Sequence, residues 1–175
     1  MCLKEGYNRY MISKQQKPTN SGFHSKTNAD EITKGIDISN KTAIVTGGYS
    51  GIGLETTRAL VNAGAKVIIP AKRTEIACKN LEGIVPNEDI VEMNLENLNS
   101  VKKFTEDFKE NFKKLDLLIN NAGIMACPET RIGNNWESQF AVNHIGHFLL
   151  TKELMSAMAE NDGARFVSLS SSAHS

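Results

Sequence analysis

A chain of 175 residues with 40% apolar side chains is long enough for one globular domain, with or without a tail, and can bury a real core. Twenty basic residues balance twenty acidic ones, so charge gives no argument for nucleic acid or an anionic membrane as partner. No apolar run approaches the roughly 20 residues of a membrane span, the N-terminus lacks a signal-peptide core, and Cys2, Cys78 and Cys127 have no metal-ligand spacing; the expectation is a soluble, cytoplasmic protein with free thiols and no structural metal.

Residues 1–36 read as a basic, loop-like arm. In the first 26 positions Lys4, Arg9, Lys14, Lys17 and Lys26 face only Glu5 among the carboxylates, Gln15–Gly22 is loop chemistry, and a short helix is expected near Asp30 to Lys34. An organellar transit peptide would be richer in serine and arginine. From residue 37 the pattern alternates. Lys41–Val45 is short, apolar and β-branched, as in a buried strand, and after a glycine-rich turn Ile52, Thr56, Ala59, Leu60 and Ala63 recur at helical spacing, with Gly64 placed to end the helix. Lys66–Ile69 is a second strand, Thr74 to Leu81 a helix, and Asp89–Met93 a third strand. Val101, Phe104, Phe108 and Phe112 make the apolar face of the next helix, and Leu115–Ile119 is a fourth strand running into Asn120-Asn121-Ala122-Gly123. A long helix is predicted from about Trp136 to Met158 with Phe140, Ile145, Phe148, Leu149 and Met155 inward; Gly163 closes it, and Ala164–Leu169 is a fifth strand. Strands alternating with helices imply an α/β fold, with a parallel sheet, right-handed crossovers and ligands beyond the carboxyl ends of the strands. No repeat or low-complexity block interrupts the pattern.

The chemistry gathers at those ends. Thr46-Gly47-Gly48-Tyr49-Ser50-Gly51-Ile52-Gly53 joins a strand to a helix, and its glycines let the backbone turn tightly and an anion approach main-chain N–H groups at a helix N-terminus. A lone turn of this kind is also an ordinary βα connection. Four more features follow in order: the basic pair Lys72-Arg73, the Asn120–Gly123 run, Asn143 within Val142-Asn143-His144-Ile145-Gly146-His147-Phe148, and Ser168-Leu169-Ser170-Ser171-Ser172-Ala173-His174. Together, over roughly residues 37–175, they resemble the short-chain dehydrogenase/reductase family, particularly its retinol-dehydrogenase-like members. The resemblance implies a Rossmann-like, doubly wound parallel sheet in the order 3-2-1-4-5-6-7, of which strands one to five are present. It implies that Gly47, Ser50, Gly51, Ile52 and Gly53 surround a dinucleotide pyrophosphate and ribose. It also implies that Asn121, Ala122 and Gly123 line the riboses and that Asn120 staples the fourth strand to its neighbour.

An NAD site offers an acid about 20 residues past the turn to the ribose 2′-OH, whereas an NADP site offers a cation to the 2′-phosphate. Here the window reads Pro70-Ala71-Lys72-Arg73 without an acid, so NADP(H) is expected over NAD, with Lys72 in direct contact and Arg73 equally consistent with a solvated surface residue. Asn94-Leu95 stands where the family usually has an acid followed by Leu or Val; the amide can still donate and accept near adenine. Family catalysis uses Asn, Ser, Tyr and Lys around hydride transfer. The resemblance assigns the Asn role, holding a water in the proton relay, to Asn143, and the Ser role to Ser171, with Ser170 and Ser172 as neighbouring alternatives. His144 and His147 have a spacing compatible with metal, but with no third ligand in view they read as packing and hydrogen-bonding groups. His174 matches a family position without a proton-transfer role.

The Tyr-x-x-x-Lys element of the family would lie beyond Ser175. Tyr10-Met11-Ile12-Ser13-Lys14 has that form but precedes the first strand, in the arm, and reads as a chance match. The expected function of the complete protein is NADP(H)-dependent oxidation or reduction of a small hydrophobic alcohol or carbonyl, and a homo-oligomer is possible for it. The alternative is a truncated, non-catalytic dinucleotide-binding module. A nucleoside-cofactor methyltransferase would not combine the Asn-Asn-Ala-Gly run with the serine strand, and an NTPase would need a Gly-Lys-[Ser/Thr] that is absent. Met125, Pro128 and Trp136 are candidates for the near wall of the substrate pocket. A protein ending at Ser175 is expected to fold poorly, with its fifth strand an open apolar edge, and to show no turnover; NADPH-dependent carbonyl reduction by that chain would overturn this expectation.

Overall fold

The computed structural model describes residues 20–24, 26–159 and 163–171. The basic arm up to Thr19, Tyr10 and Lys14 with it, and Ser172 and His174 lie outside these residues. A short helix α1 (Ala29–Thr33) starts at Asn28, whose side chain accepts from the Glu31 N–H while Glu31 answers at the Asn28 N–H, a reciprocal cap. From there strands and helices alternate: β1 (Thr42–Val45), α2 (Gly51–Asn62), β2 (Lys66–Ala71), α3 (Thr74–Asn80), β3 (Ile90–Glu92), α4 (Leu98–Asn111) and β4 (Leu117–Asn120). A two-stranded hairpin of β5 (Arg131–Ile132) and β6 (Trp136–Glu137) follows, then one turn of helix α5 (Ser138–Phe140), a π-helical segment Ala141–Gly146, α6 (His147–Ala159) and β7 (Arg165–Ser168).

Five strands form one sheet in the order β3-β2-β1-β4-β7, and every pairing in it is parallel. This is a Rossmann-like sheet with its switch between β1 and β4, since the chain runs outward from β1 through β2 to β3 and then returns to the other side. Successive side chains of a strand point to opposite faces, and both faces are covered. Ile44, Ile68 and Leu118 pack with Val101, Phe104 and Phe108 of α4 and Leu150 and Leu154 of α6. Ala43, Val45, Val67 and Ile69 pack on the opposite face with Ala77, Leu81, Val85 and Ile90. The base of the sheet is tied by Asp116, which is buried; it accepts from the Thr42 N–H at 2.8 Å and pairs with Lys41 at 2.9 Å. All four residues of the edge strand β7 are exposed, Phe166 and Val167 among them.

Two expectations need correction. Trp136 does not begin the long helix: it lies in β6, paired with Ile132, and the helical stretch begins at Ser138 behind the Glu137 carboxylate, which accepts from the N–H groups of Gln139 and Phe140. The inward face is also different, because Phe140, Phe148 and Met155 are half or more exposed, while His147, Leu150, Leu154, Ala157 and Met158 are buried. A π segment carries an extra residue per turn, so everything beyond Gly146 is rotated relative to a continuous 3.6-residue repeat. In α2, likewise, Ile52 faces out and Gly53, Thr57 and Ala59 face in. Truncating Leu154 to Ala should therefore cost about 2–5 kcal/mol of unfolding free energy, whereas Met155→Ala should stay within about 0.5 kcal/mol, as read by urea denaturation.

Candidate dinucleotide site

The turn after β1 is built by its glycines. Gly47 has φ +65°, a left-handed conformation that only glycine adopts without strain, and it lies so close to Ala122 that a Cβ would meet the Ala122 Cα at 3.0 Å. Gly53 sits in the first turn of α2, where a Cβ would overlap the Gly47 carbonyl and the Asn121 amide nitrogen. Ser50 is extended (φ −156°) and provides the N-cap position without a side-chain cap bond, so the N-terminal N–H groups of α2 are left to face whatever occupies the cleft above them.

Thr46 fastens this turn to the rest. Its hydroxyl accepts from the N–H groups of Asn121 and Ala122, both at 3.0 Å, and lies 2.8 Å from Nε2 of His147. With both lone pairs engaged, the hydroxyl hydrogen goes to His147 Nε2, which is closer than the Ile119 carbonyl at 3.5 Å. That network assigns the imidazole proton to Nδ1, which donates to the Asn143 carbonyl at 3.3 Å. His147 is buried, and burial holds its pKa below the ordinary imidazole value, with the Asn143 carbonyl working weakly in the opposite direction. Asn121 adds a second tie, its side-chain N–H donating to the Thr46 carbonyl at 3.0 Å.

Asn143 meets the Asn121–Gly123 loop from the other side. Its Oδ1 accepts from the Ile124 N–H at 2.9 Å and its Nδ2 donates to the Ile124 carbonyl at 2.8 Å, so its carboxamide engages both backbone polar groups of one residue. Asn120 ties β4 to two neighbours: its carbonyl accepts from the Leu169 N–H at the end of β7 at 3.0 Å, and its side-chain Nδ2 donates to Thr151 Oγ1 at 3.0 Å, which staples β4 to α6 as well.

These elements border a cleft of about 630 Å³ at the carboxyl edge, over the switch between β1 and β4. Gly47, Ser50, Ile52 and Gly53 line its floor; Lys72 and Arg73 line the β2 end; Asn94 and Leu95 come from the turn after β3; Asn121, Ala122 and Gly123 from the loop after β4. Gly51 shapes the turn, with φ +53°, without lining the cleft. Ser171 is exposed, two residues beyond Leu169, which does line it. Met125, Pro128 and Trp136 are not among the lining residues; Met125 and Pro128 are exposed and Trp136 packs beside the Gly133 turn. His144 stacks on Phe140, and no cluster of three potential metal ligands exists among the described residues.

A charged lining residue escaped the sequence argument. Glu96 enters the cleft from the turn after β3 and pairs with Lys72, Oε2 to Nζ at 2.7 Å. The available signal was topological: in a 3-2-1 sheet the residues just past β2 and β3 are neighbours although 24 positions apart.

The short chain dehydrogenase family model matches residues 41–175. Short-chain dehydrogenase TIC 32 B, chloroplastic, of Brassica napus is 45% identical over 168 residues, covering 90% of this chain and 52% of that protein. Retinol dehydrogenase 12 of Mus musculus is 39% identical over 147 residues, covering 81% of this chain and 46% of that protein. The chain thus spans about half the length of these curated relatives. Among solved structures, the RhlG/NADP active-site complex of Pseudomonas aeruginosa superposes with a TM-score of 0.59 at 26% identity, covering 74% of this chain and 54% of that one.

Burial of neutral His147 has a pH consequence. Below about pH 6.5 the unfolded chain takes up a proton that the folded chain refuses, so stability should fall as pH drops from about 6.5 toward the depressed folded value, then level off for this group. His147→Gln should remove that component of the slope in urea titrations at successive pH values, and Gly53→Ala should lower the melting temperature at every pH through its backbone overlap.

Proposed function

We propose, from the premise that this chain belongs to the short chain dehydrogenase family, that the protein of which it forms the dinucleotide-binding part transfers hydride between NADP(H) and a small hydrophobic alcohol or carbonyl compound. The observation that carries this reading is the joining of a glycine-built helix N-terminus with two cations in one cleft at the sheet switch. The floor suits a pyrophosphate, because Gly53 lets the first turn of α2 close on the Gly47 carbonyl and Ser50 leaves the first N–H groups of α2 without a side-chain cap. Lys72 and Arg73 suit a 2′-phosphate. NADP in the solved relative's complex and retinol in the name of the murine relative lend support by similarity.

When bound, the nicotinamide supplies the hydride donor or acceptor. The chain's own residues arrange the surroundings. Thr46 holds the Asn121–Ala122 main chain against the turn, Asn143 fixes the Ile124 backbone, and the Asn143 carbonyl is held by His147. Ser171 is the group we assign to hydrogen-bond the substrate oxygen, and Asn143 the group that steadies the proton path; a tyrosine and lysine of the family type would move the proton. The free thiols Cys78 and Cys127 fit a reducing compartment, and we place the protein in the cytoplasm on that ground.

The test is titration of NADPH and NADH into the full-length protein. NADPH should bind more tightly, and Lys72→Ala should weaken NADPH by roughly tenfold while leaving NADH within about twofold. Tighter binding of NADH than of NADPH by the unaltered protein would refute the cofactor assignment.

A further inference from the structure

The ion pair at the rim of the cleft bears on which adenosine the site prefers. Glu96 is not a side chain that happens to drift toward Lys72. Its N–H donates to Asn94 Oδ1 at 3.0 Å, the Asn94 N–H donates to Ser100 Oγ at 3.0 Å, and the Asn97 N–H donates to the Asn94 carbonyl at 3.0 Å. Asn97 in turn caps α4 through the N–H groups of Asn99 and Ser100. On the other side Leu95 is pressed against Gly146 of the π segment, where a Cβ would meet the Leu95 carbonyl at 2.6 Å. The turn carrying Glu96 is therefore fixed from three directions, and its carboxylate meets Lys72 across two adjacent strand ends with both groups lining the cleft. Both side chains remain partly in water, at 52% exposure for Lys72 and 33% for Glu96, so the pair is open to exchange with an incoming ligand.

We propose that Glu96 sets dinucleotide choice by opposing the 2′-phosphate. This rests on the reading of the cleft as a dinucleotide site. A phosphate drawn to Lys72 must share or displace the Glu96 carboxylate and then stands beside a like charge, whereas a ribose 2′-OH can donate to that same carboxylate. Arg73, which also lines the cleft and has no ion pair with Glu96, leaves the rim net positive, so the phosphate is still favoured, but by a narrowed margin. The site is thus tuned toward accepting both NADP(H) and NAD(H), and a single carboxylate does the tuning.

The experiment measures binding without turnover. Full-length protein and its Glu96→Gln, Lys72→Gln and doubly substituted forms are titrated calorimetrically with 2′,5′-ADP and with 5′-ADP, after circular dichroism shows that each is folded. Glutamine keeps the shape of Glu96, and the turn is held by main-chain and Asn94 bonds, so the fold should persist. Glu96→Gln should raise 2′,5′-ADP affinity roughly three- to tenfold, leave 5′-ADP unchanged or weaker, and lose most of its effect in about 1 M salt. In the double form most of that gain should vanish, because it acts through Lys72. If Glu96→Gln changes the two ligands equally, or changes neither while the unaltered protein binds 2′,5′-ADP, the role of Glu96 is overturned and the dinucleotide reading stands. Failure of the unaltered, folded protein to bind either ligand overturns the dinucleotide reading, and this one with it.

Discussion

The hydroxyl of Thr46 is the joint on which the site depends. It is buried at the point where β1 ends, and it accepts from two successive N–H groups of the loop after β4 while reaching His147 in the helix layer. An unpaired N–H in such a place costs about 1–3 kcal/mol, so the two amides and the imidazole are obliged to converge on this atom. Three elements that are distant in sequence are thereby brought to one register. The glycine turn takes its position from β1, the Asn121–Gly123 loop from β4, and Asn143 from the segment leading into α6. The cleft opens where these three part.

The parallel sheet explains why one edge carries all of this. Every strand enters from the same side, so every βα turn leaves on the other, and the two core faces are occupied by helices. Within that constraint the glycines have distinct duties. Gly47 supplies a backbone conformation, Gly53 supplies an absence of side chain beneath the turn, and Gly146 lets the turn after β3 approach the π segment. Closeness of backbone to backbone is what each of the latter two achieves, and it leaves main-chain N–H groups rather than side chains to form the floor of the cleft.

Much of this was legible in local pattern. The β-branched runs of β1 and β2 and the Phe104–Phe108 spacing of α4 carry their own burial signal, and the glycine turn, Asn121 and Asn143 were found by motif order. What escaped depends on geometry that local pattern does not encode. The π segment at Ala141–Gly146 shifts the phase of the helix, so a 3.6-residue repeat carried through from Trp136 assigns Phe148 and Met155 to the wrong face. The β5–β6 hairpin is too short, at two residues per strand, to show alternation. The Asn120 side chain binds Thr151, 31 positions away, and that tie to the helix layer is decided only when the layers pack.

Charge shows the same limit most plainly. A rule that reads cofactor preference from the residues after β2 reads along the chain, while an incoming phosphate is met by whatever lies across the sheet. Ala71 and Glu92 are register partners, so the segments that leave β2 and β3 start side by side; the Asn94 turn then folds Glu96 back over Lys72. Taken singly, Lys72 is an exposed charge and Glu96 a partly exposed one. Their pairing changes what Lys72 presents, because an ammonium already 2.7 Å from a carboxylate offers a phosphate a weaker welcome than a free one. In a chain whose total charge is zero, the potential that a ligand feels is set by such neighbours rather than by the sum. At this rim the strand order places the turn after β3 beside the end of β2, so the charge that follows β2 is met by a carboxylate from across the sheet.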